Sequence, residues 1–219
     1  MRLSMGLNTT YLGFIESSTN KVFSNGVLKL RMLELGDQVV VDSTISERTG
    51  KDYFTNRGYE HVSVDINGLH GALVRDLTRP EQFHDWHGSW DIVTNSGTTE
   101  HVEPFSSQYE CFGIIHDCLK VGGIAIHLLP DVHEHDAHGA WKNHCRFFYS
   151  GAFFELLAQE CAYELLSNRV IDGLRCAMVK KNRDAPFMKD RGKFLSLIAQ
   201  REQRISAFFI RIRHLFAPK

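Results

Sequence analysis

The stretch DIVTNSGTTEHVEP, residues 91–104, places a short β-branched run directly before a polar segment. Its opening, DIVTN, is typical of a strand buried in a sheet. The following SSQYECFGIIHDCLKVGG, residues 106–123, carries its apolar residues on one helical face, and Gly122 suits the end of that helix. IAIHLLP, residues 124–130, then predicts a second buried strand. This part of the chain therefore predicts a strand, a helix and a strand in succession.

The same alternation extends in both directions from this stretch. The predicted strands are MLELG (32–36), HVSVDI (61–66), ALVRDL (72–77), DIVTN (91–95), IAIHLLP (124–130), YELLSNRV (163–170) and LRCAMVKK (174–181). The predicted helices are SERTGKDYFTNRG (46–58), the segment 106–123 and GAFFELLAQECAY (151–163). Repeated strand and helix units predict an α/β fold with a mainly parallel sheet and helices on both faces. The short turn Ile171-Asp172-Gly173 predicts an antiparallel hairpin at one edge.

Length and composition bound the class of protein. A chain of 219 residues with 43% hydrophobic and 23% charged residues predicts one ordinary globular domain. Its five cysteines form no CxxC pair, so neither a disulfide framework nor a structural zinc site is expected. The N-terminus lacks the apolar core of a signal peptide, and no window of about 18 apolar residues occurs. A cytoplasmic location is the expectation.

Charge divides the chain unevenly. Residues 1–179 carry 14 Lys or Arg against 23 Asp or Glu, whereas residues 180–219 carry 11 against 3. We therefore predict an N-terminal helical segment (1–31), an α/β domain (32–182) and a basic amphipathic helix (183–219).

The apolar face of that basic helix runs through residues 193–216, with several arginines around it. Three interpretations stay open for it. It packs on its own domain or on another copy in a homo-oligomer, it docks at the inner face of a membrane, or it contacts a polyanion. The aromatic residues lie on the apolar face and do not alternate with arginine, which disfavours base stacking, so no nucleic-acid partner is predicted.

The order of elements over residues 30–181 resembles the class I S-adenosylmethionine-dependent methyltransferases. DIVTNSGTTEHVEP resembles the fourth strand and loop of that family, and LKVGGIAIHLLP (119–130) resembles its fifth. At the first strand, Glu34, Leu35 and Gly36 match the opening of the family's glycine-rich turn, while Asp37, Gln38 and Val39 replace the rest. The resemblance implies a Rossmann-like methyltransferase fold, with a mainly parallel seven-stranded sheet that ends in an antiparallel hairpin.

The resemblance also implies S-adenosylmethionine as the cofactor. The carbonyl-lined turn that binds S-adenosylmethionine needs fewer glycines than a dinucleotide site. The reason is that this cofactor has no phosphate that must approach the backbone. The missing GxGxxG pattern argues against NAD(P). In this resemblance Asp65 binds the ribose hydroxyls and Asp76 lies near the adenine. The implied cofactor residues are Glu34, Gly36, Asp37, Gln38, Asp65, Ile66, Asp76, Leu77, Asn95, Ser96 and Gly97.

Simpler interpretations compete for several of these residues. Glu34 could be a carboxylate at the edge of the core, and Asp65 and Asp76 could be turn or cap residues. Glu100 and His101 could cap a helix. The spacing from Asp65 to Asp76 is too short for a full intervening helix, so that crossover is predicted to be a loop.

Methyl transfer to oxygen requires a base that removes the acceptor's proton, and histidine suits this role near neutrality. The segment HLLPDVHEHDAHGAWKNHCRFF, residues 127–148, is rich in histidine. Three interpretations stay open for this segment. It is a solvated loop, a loop that binds the acceptor and supplies the base, or a metal site. The metal alternative lacks the HExxH spacing, and no metal ligand is assigned. The catalytic candidates are His138, His144, His101, Glu100 and His127, although His127 could equally be a core histidine.

The function predicted from these residues is O-methylation of a small-molecule or glycan hydroxyl. The alternative is a non-catalytic binding module of the same fold, in which the eroded glycine turn no longer holds the cofactor. DNA methylation is not expected, because the loop reads TNSGTTEH instead of the Asn/Asp-Pro-Pro-Tyr/Phe type.

Overall fold

The computed structural model describes residues 6–23, 29–135 and 144–200. The α-helices are α1 (Thr9–Val22), α2 (Gly50–Asn56), α3 (Gln108–Cys118), α4 (Gly151–Glu160) and α5 (Arg191–Ser196). The strands are β1 (Arg31–Leu35), β2 (Glu60–Val64), β3 (Trp90–Ser96), β4 (Leu119–Pro130), β5 (Phe147–Tyr149), β6 (Tyr163–Ile171), β7 (Leu174–Lys181) and β8 (Ile198–Gln200). Short 3₁₀ helices span Leu69–Gly71, Pro80–Trp86, Thr99–His101, Phe105–Ser107 and Val132–His135.

Within the described residues, the main sheet has six strands in the order β2-β1-β3-β4-β7-β6. Strands β2, β1, β3 and β4 run parallel to one another. Strand β7 runs antiparallel to both β4 and β6. The mainly parallel sheet and the terminal hairpin are therefore confirmed. The hairpin turns tightly because Asp172 (φ 47°) and Gly173 (φ 80°) both adopt positive φ, as a two-residue turn of this kind requires.

The predicted number of seven strands in one sheet is wrong. The apolar run at residues 72–77 forms no strand, and Leu73 makes only an isolated parallel bridge with Val64. A parallel neighbour needs a crossover of a dozen or more residues, and this segment is shorter. The 3₁₀ turn Leu69–Gly71 takes the place of a crossover helix. β5 and β8 pair with each other in a separate two-stranded sheet, and Tyr149 of β5 also makes an isolated parallel bridge with Asp131.

Helices cover both faces of the main sheet, as predicted. One core contains Leu33, Val93 and Ala125 from the strands, with side chains from α3 and α4. The other contains Met32, Ile92 and Ile126, with side chains from α1 and α2. The N-terminal helix thus packs on the sheet. α3 ends at Cys118, so Gly122 does not end it but lies in β4 with φ 86°.

The basic C-terminal segment differs from the predicted continuous helix over its described part. Helix α5 ends at Ser196, and residues Ile198–Gln200 pair with β5 instead. Phe194 and Ile198 are buried in the domain core, which explains why this part is not an exposed helix face. Residues 201–216 of the predicted helix lie outside the described residues. None of the described helices is long and apolar enough to cross a membrane.

Candidate functional site

A cavity of about 700 Å³ lies at the carboxyl edge of the parallel strands. This is the edge where open α/β sheets bind their ligands. Twelve of the residues predicted from the sequence line it: Gly36, Asp37, Gln38, Asp65, Ile66, Asp76, Leu77, Ser96, Gly97, Glu100, His101 and His144. Glu34, Asn95 and His127 do not line it. His138 lies outside the described residues.

The backbone at Gly36 lies directly against the turn that follows β3. Its φ is 87°, and its N–H donates to the Val64 carbonyl at 2.8 Å. A Cβ atom here would lie 2.4 Å from Thr98 Oγ1. That hydroxyl donates to the Leu35 carbonyl at 2.6 Å and accepts from Gln38 Nε2 at 3.1 Å. Only glycine fits between these two turns, since the position has both positive φ and no space for a side chain.

Asp65, which follows β2, holds the neighbouring turns through backbone hydrogen bonds. Its carboxylate accepts from the N–H of Asp37 at 3.0 Å and from the N–H of Asn67 at 2.9 Å. The Asp37 carboxylate in turn lies 2.7 Å from His70 Nδ1. Two carboxylates thus face the cavity beside Gly36. They make this wall acidic, which suits a ligand with positive charge.

The next part of the wall is partly apolar. Ile66, which is 75% exposed, and Leu77, which is buried, both line the cavity. Asp76 forms a local turn, since its carboxylate accepts from both the N–H and the Oγ1 of Thr78 at 2.8 Å. These bonds lower the pKa of Asp76 below its usual value. Asp76 is therefore a turn residue, which was the simpler of its two interpretations, and it also lines the cavity.

Glu34 is the first correction among the cofactor residues. It pairs with Ser63 of β2 and Thr94 of β3 on the face that α1 and α2 cover, and it is 2% exposed. Its Oε2 lies 3.5 Å from His61 Nε2. A Cβ atom on Gly50 would lie 2.3 Å from Glu34 Oε1. Glu34 is therefore a core carboxylate, because alternation along β1 turns it away from the cavity.

Burial raises the pKa of Glu34 well above its ordinary value, and the nearby Asp37 raises it further. Burial likewise lowers the pKa of His61 to about 4, with a smaller contribution from Lys51. Burial therefore disfavours the charged form of both groups. Such a carboxyl contributes stability that is complete below its unfolded pKa of about 4.5 and is lost as the pH rises toward the folded value.

We expect the Glu34→Gln variant to lack this pH dependence. The measured quantity is the free energy of unfolding of the unchanged protein minus that of the variant. As the pH rises from 5 to 8, this difference should fall by at most about 1.4 kcal/mol per pH unit. Urea unfolding at pH 5, 6.5 and 8 measures it. Glu60→Gln, at a half-exposed carboxylate on β2, is the matched control and should run parallel to the unchanged protein. Parallel curves for Glu34→Gln would contradict the buried neutral carboxyl.

Asn95 and His127 are the second correction. The Asn95 amide donates to Thr99 Oγ1 at 2.9 Å and lies 3.4 Å from His127 Nδ1. The His127 ring stacks on Phe112, with centroids 5.4 Å apart. Burial lowers the pKa of His127 to about 3, so it is a neutral core histidine. The core interpretation replaces the catalytic one, and Asn95 supports the turn after β3 from below the surface.

The turn Thr99–His101 carries two catalytic candidates and is held by buried polar contacts. Gln108 Nε2 donates to the carbonyls of Thr99 (2.7 Å) and Val102 (2.9 Å). The Tyr149 hydroxyl donates to Gln108 Oε1 at 2.5 Å. Because buried, satisfied networks are rigid, this turn holds Glu100 and His101 in fixed positions at the cavity.

Glu100, His101 and His144 form one cluster at this end of the cavity. Burial raises the pKa of Glu100 to about 8. His101 Nε2 lies 3.7 Å from Glu100 Oε1, and the rings of His101 and His144 have centroids 4.5 Å apart. Burial first, and His144 second, lower the pKa of His101 to about 4, and burial lowers the pKa of His144. Both imidazoles are thus neutral near pH 7 and can accept a proton.

The remaining walls were not predicted from the sequence. Some come from distant segments that folding alone brings together, and others are chain neighbours of the predicted residues. The residues are Gly6, Leu7, Tyr11, Val39, Val64, Arg75, Thr78, Thr98, Val102, Glu103, Leu128 and Leu174. Thr98, Val102 and Glu103 lie inside the motif that predicted the site, so the sequence carried a signal for them. The Arg75 guanidinium lies 3.6 Å from the Trp86 ring centroid and pairs with Asp85 at 2.9 Å.

Three comparisons place this fold among known proteins. No family model and no curated protein matches the chain. A structure from Pyrococcus horikoshii OT3 aligns with 78% of this chain and 90% of its own, at 15% identity and a TM-score of 0.55. The 1,6-didemethyltoxoflavin-N1-methyltransferase of Burkholderia thailandensis, solved with 1,6-didemethyltoxoflavin and S-adenosylhomocysteine, covers 80% of both chains at 12% identity and 0.52.

The N-methyltransferase NodS of Bradyrhizobium japonicum WM9, solved with S-adenosylhomocysteine, is similar at the same level. It aligns with 80% of this chain and 89% of its own, at 12% identity and a TM-score of 0.52. At sequence identities this low, the similarity indicates the arrangement of strands and helices and does not indicate the reaction. The chain has the fold of the class I S-adenosylmethionine-dependent methyltransferases.

Proposed function

We propose that this protein is an S-adenosylmethionine-dependent methyltransferase that methylates a hydroxyl of a small molecule or a glycan, with a histidine as the base. One observation carries the proposal. A single cavity at the carboxyl edge of the sheet contains the Gly36 turn and Asp65 together with the cluster of Glu100, His101 and His144. A donor site and a group that accepts protons thus face the same space.

The residues of the first part of the cavity fit this cofactor. Gly36 lines the cavity without a side chain of its own, which allows the amino-acid part of a ligand to approach the backbone. The Asp65 carboxylate makes two backbone contacts and retains further acceptor capacity for ribose hydroxyls. Ile66 and Leu77 provide apolar contact for a flat ring. When bound, S-adenosylmethionine supplies a methyl group on a positively charged sulfur, which the acidic wall complements.

The other end of the cavity supplies what the acceptor needs. As the acceptor oxygen forms its new bond to carbon, its proton passes to a neutral imidazole of His101 or His144. The chain's further task is to align the two reactants, because methyl transfer is an in-line displacement. Leu7, Tyr11 and Leu128 add apolar surface to the cavity. This favours an acceptor with an apolar portion beside its hydroxyl.

Calorimetric titration with S-adenosylhomocysteine tests the donor site. We expect saturable binding with a dissociation constant on the order of micromolar, about 8 kcal/mol of binding free energy. No binding at millimolar ligand would reject the proposal and leave the non-catalytic binding module. Turnover is then measured with a labelled methyl donor and a panel of phenols, aliphatic alcohols and oligosaccharides.

We expect one of the variants His101→Gln and His144→Gln, the one that removes the base, to lower turnover of the best acceptor by about 100-fold, because general-base catalysis contributes at least that much. The dissociation constant of S-adenosylhomocysteine should stay within about twofold, since the donor residues are untouched. His84→Gln, at an exposed histidine that does not line the cavity, should leave both values unchanged. Unchanged turnover in both cavity variants would remove these histidines as bases.

A further inference from the structure

His101, His144 and Cys145 bring three metal-binding atoms together at the acceptor end of the cavity. One nitrogen from each imidazole and the Cys145 sulfur all lie within 4.8 Å of one another. Sequence reasoning missed this group, because it assigned His101 and His144 separately and gave Cys145 no role. His101 and His144 also line the cavity, whereas Cys145 is fully buried behind them.

Two chain segments supply these atoms, and the backbone fixes their relative position. The Arg146 N–H donates to the Glu100 carbonyl at 3.1 Å, directly beside Cys145 and His101. The turn that carries His101 is held by Gln108, as described above. A metal site needs ligands positioned before the ion arrives, and this cross-link provides that.

A second, independent observation comes from Glu100. Its side chain is 3% exposed, and among the described residues its Oε2 has no hydrogen-bond partner. Its other oxygen, Oε1, lies 3.7 Å from His101 Nε2. A carboxyl group next to a histidine ligand commonly orients that ligand. The carboxylate therefore has a use if His101 binds an ion.

We propose that His101, His144 and Cys145 bind a divalent transition metal ion of the zinc class, with a further coordination position open to the cavity. Two imidazoles and one thiolate match the ligand preference of such ions, and three protein ligands with one open position are typical of catalytic sites. Binding releases the Cys145 thiol proton to solvent, because the thiolate is the ligand.

The proposed ion would change the chemistry at this end of the cavity. A ligated imidazole nitrogen has no lone pair for a proton, so an occupied site and a histidine base exclude each other. The open position would bind the acceptor's oxygen and lower the pKa of its hydroxyl. This consequence rests on the proposed function, whereas binding of the ion itself does not.

Titration of the reduced, metal-free full chain with Co²⁺ tests the site. Thiolate ligation gives a near-ultraviolet charge-transfer band, which we expect to saturate at one equivalent and to disappear when Zn²⁺ is added. His144→Gln and Cys145→Ser should each weaken Co²⁺ binding by more than about 100-fold, and Glu100→Gln should weaken it by about 10-fold. The His84→Gln/His87→Gln variant removes an exposed histidine pair and should bind Co²⁺ unchanged.

Equal Co²⁺ affinity in the unchanged protein and His144→Gln would overturn the proposal, as would the absence of the charge-transfer band at millimolar Co²⁺. His144→Gln guards against misfolding, because His144 is exposed whereas Cys145 is in the core. A parallel titration with S-adenosylhomocysteine separates the two proposals. Co²⁺ binding without S-adenosylhomocysteine binding rejects the methyltransferase function alone, and the reverse result rejects the metal site alone.

Discussion

Gly36→Ala is expected to raise the dissociation constant of S-adenosylhomocysteine by about 1,000-fold. The added methyl group would meet Thr98 Oγ1 at 2.4 Å and Gln38 Nε2 at 2.6 Å, in a backbone with φ 87°. Gln38 can move, but Thr98 is short and is held by the Leu35 carbonyl. Overpacking and strained φ each cost about 1–3 kcal/mol, and relief requires the turn to shift at the cavity wall. Calorimetric titration measures the loss.

Gly58→Ala is the matched control for this experiment. Gly58 has φ 89°, nearly the same as Gly36, but a Cβ atom there would meet nothing within 4 Å. The control therefore imposes the same backbone strain without the collision, and its affinity for S-adenosylhomocysteine should equal that of the unchanged protein. If Gly36→Ala also binds normally, the ligand does not approach this turn.

Asp65→Ala should weaken binding of the same ligand by about 100- to 1,000-fold. A charge-assisted hydrogen bond contributes about 1.5–3 kcal/mol, and ribose hydroxyls would lose theirs. The N–H groups of Asp37 and Asn67 would also lose their acceptor, which loosens the wall beside Gly36. Affinity is measured by calorimetric titration, and stability by thermal unfolding.

Asp42→Ala separates direct contact with the ligand from support of the backbone, the two ways in which Asp65 could contribute to affinity. The Asp42 carboxylate also accepts backbone hydrogen bonds, from Thr44 at 2.9 Å and Thr9 at 3.3 Å, but it does not line the cavity. The control should lose stability without losing affinity for S-adenosylhomocysteine. Equal affinities of Asp65→Ala and Asp42→Ala would mean that Asp65 acts only through the fold.

Much of the fold could be predicted because its signals are local. β3, α3 and β4 follow from hydrophobic patterns of 5 to 18 residues around DIVTNSGTTEHVEP. The hairpin of β6 and β7 follows from Asp172 and Gly173. The predicted strand at residues 72–77 failed because an apolar run does not show whether the chain has length enough to reach a parallel position. Pairing of β5 with β8 joins residues about 50 positions apart, which no local pattern encodes.

The candidate site shows the same division. The sequence identified Gly36, Asp65 and Glu100, because each follows a strand end inside a recognisable motif, and all three line the cavity. It placed Glu34 there as well, although only the register of β1 between β2 and β3 decides which face that side chain occupies. Since alternate residues of a strand point to opposite faces, a carboxylate near a motif can belong to the core.

The sequence by itself determined the order of the six strands of the main sheet and of α2, α3 and α4, and the chemical types at the carboxyl edge of the sheet, because both depend on residues close together in the chain. Only the tertiary structure decided which of those groups share one space. His101 and Cys145 are distant in sequence, and the backbone bond from Arg146 to Glu100 brings them together. The physical reason is that packing of the sheet and its helices, and not local pattern, sets the distances between segments.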